Sequence, residues 1–253
     1  MVEPGDLAQA YAAVRDRIGE AAARAGRRAQ DVALVAVTKS ATPDQIRALV
    51  ELGQVDLGES RAQQITQRVA QLEEYLSRRR RMGQAVERTA GVMPDRVRWH
   101  MVGHLQRNKV KQVVPVVDLV HSVDSLRLAE ELHNFAARTE RVVDVLVQVN
   151  ASGEAGKHGI SPPAVAHFVE QLDTMVYLRA RGLMTMAPYS DNPEDARPTF
   201  ARAAELFEDV RTQGLGGREF NILSMGMSND FEIAIEQGAN VVRVGRALFG
   251  EGS

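Results

Sequence analysis

The basic residues of this chain are strongly skewed towards arginine. Of 31 Lys and Arg residues only four are lysine, namely Lys39, Lys109, Lys111 and Lys157. A lysine amine can form an imine with a carbonyl compound, whereas an arginine guanidinium cannot, because it stays protonated. Lys39 follows the apolar run 34–37, so we expect it at the end of a buried strand, where desolvation favours the neutral amine. The alternative is a lysine that extends from a strand end into water.

The other three lysines are weaker candidates for imine formation. Lys109 and Lys111 fall in a predicted helix with polar neighbours, which is typical of surface positions. Lys157 follows a glycine-containing loop that we expect to close over the mouth of a site. Position therefore favours Lys39.

Small residues after the last two predicted strands form a candidate anion site. The segment 224–228 reads Ser-Met-Gly-Met-Ser and is predicted to lead into a helix from Ser228 or Asn229. Free N–H groups at a helix start favour an anion. Gly245 and Arg246 follow the final strand, and paired loops in these positions commonly hold phosphate in barrels. Ordinary turn chemistry is the alternative for the glycines.

Arg243 lies inside the last apolar strand, 241–244. A charge in such a run needs a partner. The sequence leaves two possibilities open: a structural ion pair with an acid in the barrel, or a hydrogen bond to a cofactor atom.

The histidines do not predict a metal site. His100 and His104 are four residues apart, but a strand followed by a loop with Gly103 does not give the rigid helical face of paired metal ligands, and the chain has no cysteine. The remaining four show no recognisable pattern in the sequence: His121, His133, His158 and His167.

The elements that must position these residues alternate regularly. An amphipathic helix with Leu7, Val14 and Ile18 on one face opens the chain. Eight apolar runs then alternate with helical patterns, at 32–37, 55–58, 97–102, 118–121, 142–149, 178–184, 220–224 and 241–244. This order predicts an α/β fold, a single (β/α)8 TIM barrel with an extra N-terminal helix, as one domain over residues 1–253. The arginine-rich stretch 78–96 is predicted to be a helix end and a loop facing water, with a polyanion patch as the alternative.

Composition excludes several functional classes. The net charge of −2 gives no global field for nucleic acid or an anionic membrane. The absence of cysteine excludes disulfides and thiolate chemistry and fits a cytoplasmic protein. No secretory signal core and no apolar run of membrane-spanning length is expected.

Several segments match the motifs of one family. They are Ala36–Lys39 (AVTK), Leu57–Glu59 (LGE), Trp99–Lys109 (WHMVGHLQRNK), Lys157–Ile160 (KHGI), Gly182–Met186 (GLMTM), Leu223–Ser228 (LSMGMS) and Val242–Gly250 (VRVGRALFG). In these segments the chain resembles the pyridoxal phosphate homeostasis proteins, which are similar to the barrel domain of alanine racemase.

The resemblance implies a fold-type III protein that carries pyridoxal 5′-phosphate (PLP) as a Schiff base on Lys39. It implies that Ser224, Ser228, Gly245 and Arg246 surround the phosphate, largely through backbone amides, and that Arg243 faces the pyridine nitrogen. We also expect cofactor contacts from Ser60, His100, Met184 and Met225. Family members commonly have asparagine where this chain has Ser60, so an amide contact is shortened or lost.

The leading functional hypothesis is a protein that stores, buffers or delivers PLP inside the cell without strong turnover. Its expected partners are PLP and PLP-dependent apo-enzymes, and a monomer is expected because the second domain of alanine racemases is missing. The alternatives are a PLP-dependent racemase or decarboxylase of amino acids, and a lysine-dependent aldolase that needs no cofactor.

Overall fold

A computed structural model describes residues 4–83, 94, 96–154, 156 and 158–250. Eight parallel strands, hydrogen-bonded in sequence order, close into a barrel. They are β1 (Ala33–Val37), β2 (Asp56–Glu59), β3 (Arg98–Met101), β4 (Leu119–Val123), β5 (Val143–Gln148), β6 (Leu178–Met184), β7 (Ile222–Ser224) and β8 (Val241–Val244). Pairing of β1 with β8 completes the ring. The predicted (β/α)8 barrel is confirmed.

Helices connect the strands and surround the barrel. They are α1 (Pro4–Arg24), α2 (Pro43–Glu51), α3 (Ala62–Gly83), α4 (Val110–Val113), α5 (Leu126–Arg138), α6 (Val165–Asp173), α7 (Arg197–Thr212), α8 (Phe231–Glu236) and α9 (Arg246–Phe249). Short 3-10 turns precede α4, α6 and α7 at Arg107–Lys109, Pro162–Ala164 and Pro193–Ala196. No described helix has both the length and the apolarity to cross a bilayer.

Local sequence signals account for individual helix starts. The Oγ1 atom of Thr42 accepts a hydrogen bond from the Gln45 N–H at 3.2 Å, and the Gln45 side chain accepts one from the Thr42 N–H at 2.9 Å. This reciprocal capping satisfies two otherwise unpaired donors at the start of α2. The loop that carries Lys39 therefore ends at Thr42, where these two hydrogen bonds hold the start of α2.

The additional helix α1 packs against α2, α8 and α9. Leu7 and Ile18 on its apolar face are fully buried. Arg17 and Arg24 on its polar side form ion pairs with Glu232 at 2.7 Å and with Glu236 at 2.8 Å. The N-terminal helix thus joins the last βα unit to the first.

Two local predictions need revision. The helix expected from Ser228 or Asn229 begins instead at Phe231, because the Asp230 carboxylate accepts the Met227 N–H at 2.6 Å and holds a turn there. In the arginine-rich stretch, α3 continues to Gly83 as expected of a helix end. The loop predicted after it, residues 84–93 and 95, lies outside the described residues.

Gly182 in β6 occupies a position that only glycine tolerates. Its φ of 147° is unfavourable for side-chain-bearing residues, and a Cβ would lie 1.8 Å from the Ile222 carbonyl oxygen. The register between β5 and β6 shifts beside it, between Val145 and Leu146. The irregular register thus lies three residues before Thr185, whose carbonyl oxygen accepts a hydrogen bond from Arg243.

We expect Gly182→Ala to lower the free energy of unfolding by about 3 kcal/mol or more, because strain and a backbone clash combine. The measurement is urea unfolding followed by circular dichroism. Gly19→Ala is the matched control, since a Cβ there meets only an ordinary contact at 3.7 Å inside α1. It should leave stability unchanged or raise it by about 0.5–1 kcal/mol. Equal stability of the two variants would contradict the prediction.

Candidate functional site

A cavity of about 570 Å³ opens at the carboxyl ends of the strands. Its walls come from the segments that follow seven of the eight strands, β4 being the exception. The residues predicted to form the site that line it are Lys39, Ser60, Ser228, Arg243, Gly245 and Arg246. The sequence order of a parallel barrel brings them together, because all strand ends meet at one face.

Lys39 lies on the cavity wall and is exposed. The partial desolvation of its amine that the sequence suggested is therefore not supplied by the protein itself. Beneath it, the Thr38 hydroxyl contacts the Gly58 carbonyl at 3.1 Å and the Glu59 carboxylate at 3.2 Å. The lysine is free to react while its backbone is held.

Glu59 anchors the loops after β1 and β2. Its fully buried carboxylate pairs with Arg68 of α3 at 3.2 Å, and Arg68 also donates to the Thr38 carbonyl. The other carboxylate oxygen accepts the Ser60 N–H at 2.7 Å and the Arg61 N–H at 3.1 Å. Glu59 thus holds the backbone that follows β1 and the backbone that follows β2.

Two backbone donors that follow β8, the neighbour of β1, converge on one hydroxyl. The N–H groups of Gly245 and Ala247 donate to Ser228 Oγ at 3.3 and 3.2 Å. Ser228 Oγ accepts from two N–H groups that could equally donate to an anionic oxygen. Arg246 lies beside it, exposed, with its guanidinium 5.9 Å from the ring centre of Tyr189.

Arg243 is a buried cation on the cavity wall, only 4% exposed. Its Nη1 donates to Ser224 Oγ at 2.6 Å and its Nη2 to the Thr185 carbonyl at 2.9 Å. Among the residues that the structure describes, no carboxylate forms an ion pair with it. Of the two possibilities left open by the sequence, the ion pair is therefore not found.

A chain of hydrogen bonds leads away from Arg243 through the barrel interior. Ser224 Oγ lies 3.0 Å from His121 Nδ1, His121 Nε2 lies 2.9 Å from His100 Nδ1, and His100 Nε2 lies 3.1 Å from Asp56 Oδ1. The contact from β4 to β7 crosses the barrel, because these strands are not neighbours. Asp56 at the amino end of β2 is paired with Arg98 at 2.6 and 2.7 Å.

Burial and charge shift the pKa values along this chain. Burial alone would raise the pKa of Asp56, but hydrogen bonds from His100 and Arg98 lower it to about 2. The pKa of His121 lies well below the ordinary value of histidine, mainly because the ring is buried and to a smaller extent because His100 and Arg243 are nearby. Burial lowers the pKa of Arg243 to about 10, against the opposing charge of Asp230. At neutral pH Asp56 is therefore an anion, His121 is neutral and Arg243 is a cation.

Four of the residues expected to contact the cofactor do not line the cavity. His100 and Ser224 lie in the barrel interior and are engaged in the hydrogen-bond chain. Met184 packs with Leu119 and Leu146 in a small apolar cluster, and Met225 belongs to the main core. All four side chains are buried in the barrel, where they pack or hydrogen-bond behind the cavity wall.

His104 and His158 line the cavity mouth, and their rings stack at 4.6 Å. Each Nδ1 faces Asp124, at 3.4 and 3.5 Å. A metal ion lies in the plane of each imidazole that binds it, and these planes are nearly parallel, so the group suits hydrogen bonding better than metal binding. It joins the loops after β3 and β5 through their shared carboxylate. Lys157, next to His158, lies outside the described residues.

Sequence reasoning missed several functional positions. His121 showed no pattern in the sequence, yet it is central to the buried chain, and Glu59, Thr185 and His158 were not among the predicted site residues. The sequence offered one signal for His121: it ends the apolar run 118–121, predicted to be a strand, and a histidine buried there needs hydrogen-bond partners.

Acid should destabilise the protein through this chain. A neutral buried His121 gives stability that is present above about pH 6.5 and is lost as the pH falls, because the unfolded histidine takes a proton. Asp56 adds about 2 kcal/mol that is lost only between about pH 4 and pH 2. We expect His121→Gln to flatten the fall in unfolding free energy between about pH 6.5 and pH 5. The measurement is urea unfolding at each pH.

The control is His167→Gln, whose side chain is 73% exposed on α6. It should keep the wild-type pH dependence. Because the comparison concerns the slope with pH, a constant loss of stability in His121→Gln leaves it intact. An unchanged slope would contradict the buried neutral histidine.

Known proteins resemble the chain over nearly its whole length. The family described as alanine racemase, N-terminal domain, matches residues 11–252. A pyridoxal phosphate homeostasis protein of Deinococcus radiodurans is 40% identical over 243 residues, covering 94% of this chain and 98% of that protein. One of Aquifex aeolicus is 36% identical over 242 residues, covering 94% and 95%.

Solved structures agree. PipY of Synechococcus elongatus, determined with PLP bound, is 30% identical and superimposes with a TM-score of 0.78, covering 96% of this chain and 100% of its own. An unknown protein of Bifidobacterium adolescentis, 33% identical, gives a TM-score of 0.84 with 97% and 95% coverage. Because barrel, motifs and length all correspond, the chain belongs to the pyridoxal phosphate homeostasis proteins of the alanine racemase N-terminal domain family.

Proposed function

We propose that this protein binds PLP as a Schiff base on Lys39 and stores, buffers or delivers it, without strong turnover of its own. The observation that carries the proposal is Arg243, a nearly buried cation without an ion pair among the described residues, in the same cavity wall as Lys39. Ser224 Oγ and the Thr185 carbonyl accept from two of its five N–H groups, so the guanidinium can also donate to an acceptor in the cavity. The PLP bound in the structure of the related PipY protein supports the choice of ligand.

The residues present fit each part of this cofactor. Lys39 offers an accessible amine for an aldehyde, and the Gly245 and Ala247 N–H groups offer donors for a phosphate, with Ser228 between them. Arg243 offers a donor for a ring nitrogen. A volume of about 570 Å³ lies in the range of cofactor sites.

Arg243 also argues for binding over turnover. When bound, PLP supplies an electron sink, which is strongest when its ring nitrogen carries a proton. A guanidinium only donates hydrogen bonds and stays charged, so Arg243 would keep that nitrogen unprotonated. Fast racemisation would in addition need acid and base groups on both faces of a substrate carbon.

Three further parts of the proposal concern the cellular setting. We propose that PLP-dependent apo-enzymes receive the cofactor, that the chain acts as a monomer, and that it works in the cytoplasm. A barrel that carries every site residue named above on one chain supports the proposal of a monomer. Ser60 lines the cavity in the place of the asparagine common in the family, and its shorter side chain is expected to affect affinity rather than the identity of the ligand.

Purified protein mixed with PLP should show a visible absorbance band that borohydride bleaches. Mass spectrometry of the reduced protein should place the added mass on Lys39. Lys39→Ala should lose the band and the covalent mass, because no other lysine among the described residues lines the cavity. Lys109→Ala is the matched control and should keep both. A band that survives in Lys39→Ala would overturn the assignment.

Exchange of the α-proton of alanine and other amino acids in deuterated water should be slow even at stoichiometric protein. The reason is the weak electron sink beside Arg243. Proton NMR follows the loss of the α-proton signal. Exchange over many turnovers within minutes would contradict the storage role and favour a racemase.

A further inference from the structure

Arg243 and Asp56 are opposite charges at the two ends of one buried hydrogen-bond chain. The intervening groups are His100, His121 and Ser224, and each link measures between 2.6 and 3.1 Å. His121 and Ser224 are fully buried and His100 is 7% exposed. Water is therefore largely excluded from this hydrogen-bond chain. Only the expected effect of the chain on PLP rests on the proposed function.

The chemistry of the end groups determines the direction of every link. An ionised Asp56 only accepts, so His100 Nε2–H donates to it. In a neutral His100 the Nδ1 atom must then accept, so His121 Nε2–H donates. The Nδ1 atom of neutral His121 in turn accepts the Ser224 O–H. Ser224 Oγ is left to accept from Arg243, which can only donate. All the links agree without conflict.

The opposite direction fails at Ser224. A protonated His100 would donate to His121 and place the His121 proton on Nδ1, against a Ser224 oxygen that already accepts from Arg243. Within the described part of the chain, the hydrogen-bond partners of Ser224 Oγ are these two groups, so its own proton would lose its acceptor. The buried chain would also hold two cations.

We propose that Asp56, His100, His121 and Ser224 form a one-way hydrogen-bond relay that compensates the charge of Arg243 from the far end of the barrel and aims its guanidinium into the cavity. Each hydroxyl or imidazole that donates towards Asp56 becomes a better acceptor on its other side. These four are positioning residues. They act on a bound ligand through Arg243.

The charged groups around the relay are consistent with this role. Asp230 faces Arg243 at longer range, but its carboxylate accepts the Met227 N–H, and burial raises its pKa. At the far end Arg98 pairs with Asp56 and is half exposed. Lys39 and Arg246 are further cations on the cavity wall, and both are exposed.

Asp56→Asn tests the charge while preserving the geometry, because its Oδ1 still accepts from His100. Asp144→Asn is the matched control. Asp144 of β5 lies opposite Arg179 of β6, just as Asp56 of β2 lies opposite Arg98 of β3. Asp144 forms ion pairs with Arg179 and Arg181, both at 2.6 Å. Its hydrogen bonds do not reach the relay. The readout is the pH at which the visible band of bound PLP changes.

Removing the remote anion makes the cavity more positive, which disfavours a protonated imine on Lys39. We expect the midpoint in Asp56→Asn to fall by about half a pH unit or more, roughly a threefold change in the protonation constant. Asp144→Asn should keep the wild-type midpoint. Equal midpoints in all three proteins, or equal shifts in both variants, would overturn the electrostatic part of the relay.

A second measurement needs no cofactor. In ¹⁵N-histidine NMR of the protein without PLP at mildly alkaline pH, His100 and His121 should both show a protonated Nε2 and a bare Nδ1. A proton on Nδ1 of either histidine would overturn the relay. If wild-type protein fails to form an imine with PLP, the proposed function falls, and the NMR result still decides the relay.

Discussion

The charge of Arg243 is the constraint on which the interior of the barrel depends. With a pKa of about 10 the guanidinium stays charged at neutral pH, and it is buried where no described carboxylate pairs with it. Its acceptors are Ser224 and the Thr185 carbonyl. A barrel interior is normally packed with branched apolar side chains. His121 and His100 are polar exceptions, because they extend the hydrogen-bond chain from Ser224 to the negative charge of Asp56.

The cavity combines this buried cation with an exposed, reactive amine. Lys39 is exposed, but its backbone is tied through Thr38 to the buried Glu59 and its partner Arg68. An exposed amine on a backbone held by hydrogen bonds can form and release an imine, which suits a protein proposed to pass a cofactor on. Arg243 meanwhile favours a state of the ring that is poorly suited to carbanion chemistry. The two residues therefore point to holding rather than turnover.

Much of the fold was predictable because local signals and global topology agree. The predicted runs match all eight strands to within a few residues. Thr42 and Gln45, residue types that favour a helix start at this spacing, form the capping pair of α2. The helix start near Ser228 was wrong because the Asp230 side chain competes for the same turn, which no periodicity reveals. The expected desolvation of Lys39 also failed, since it depends on how far the surrounding loops extend over the cavity.

The sequence by itself determined the order of strands and helices, the position of Lys39 after the first strand, and the need of Arg243 for a partner. Only the tertiary structure decided what that partner is. Barrel closure turns the side chains of β4 and β7, which are not neighbours, towards the same interior, so His121 meets Ser224 there. Such contacts depend on which face of each strand turns inward and on the register between strands, and both are set by the packing of the whole barrel.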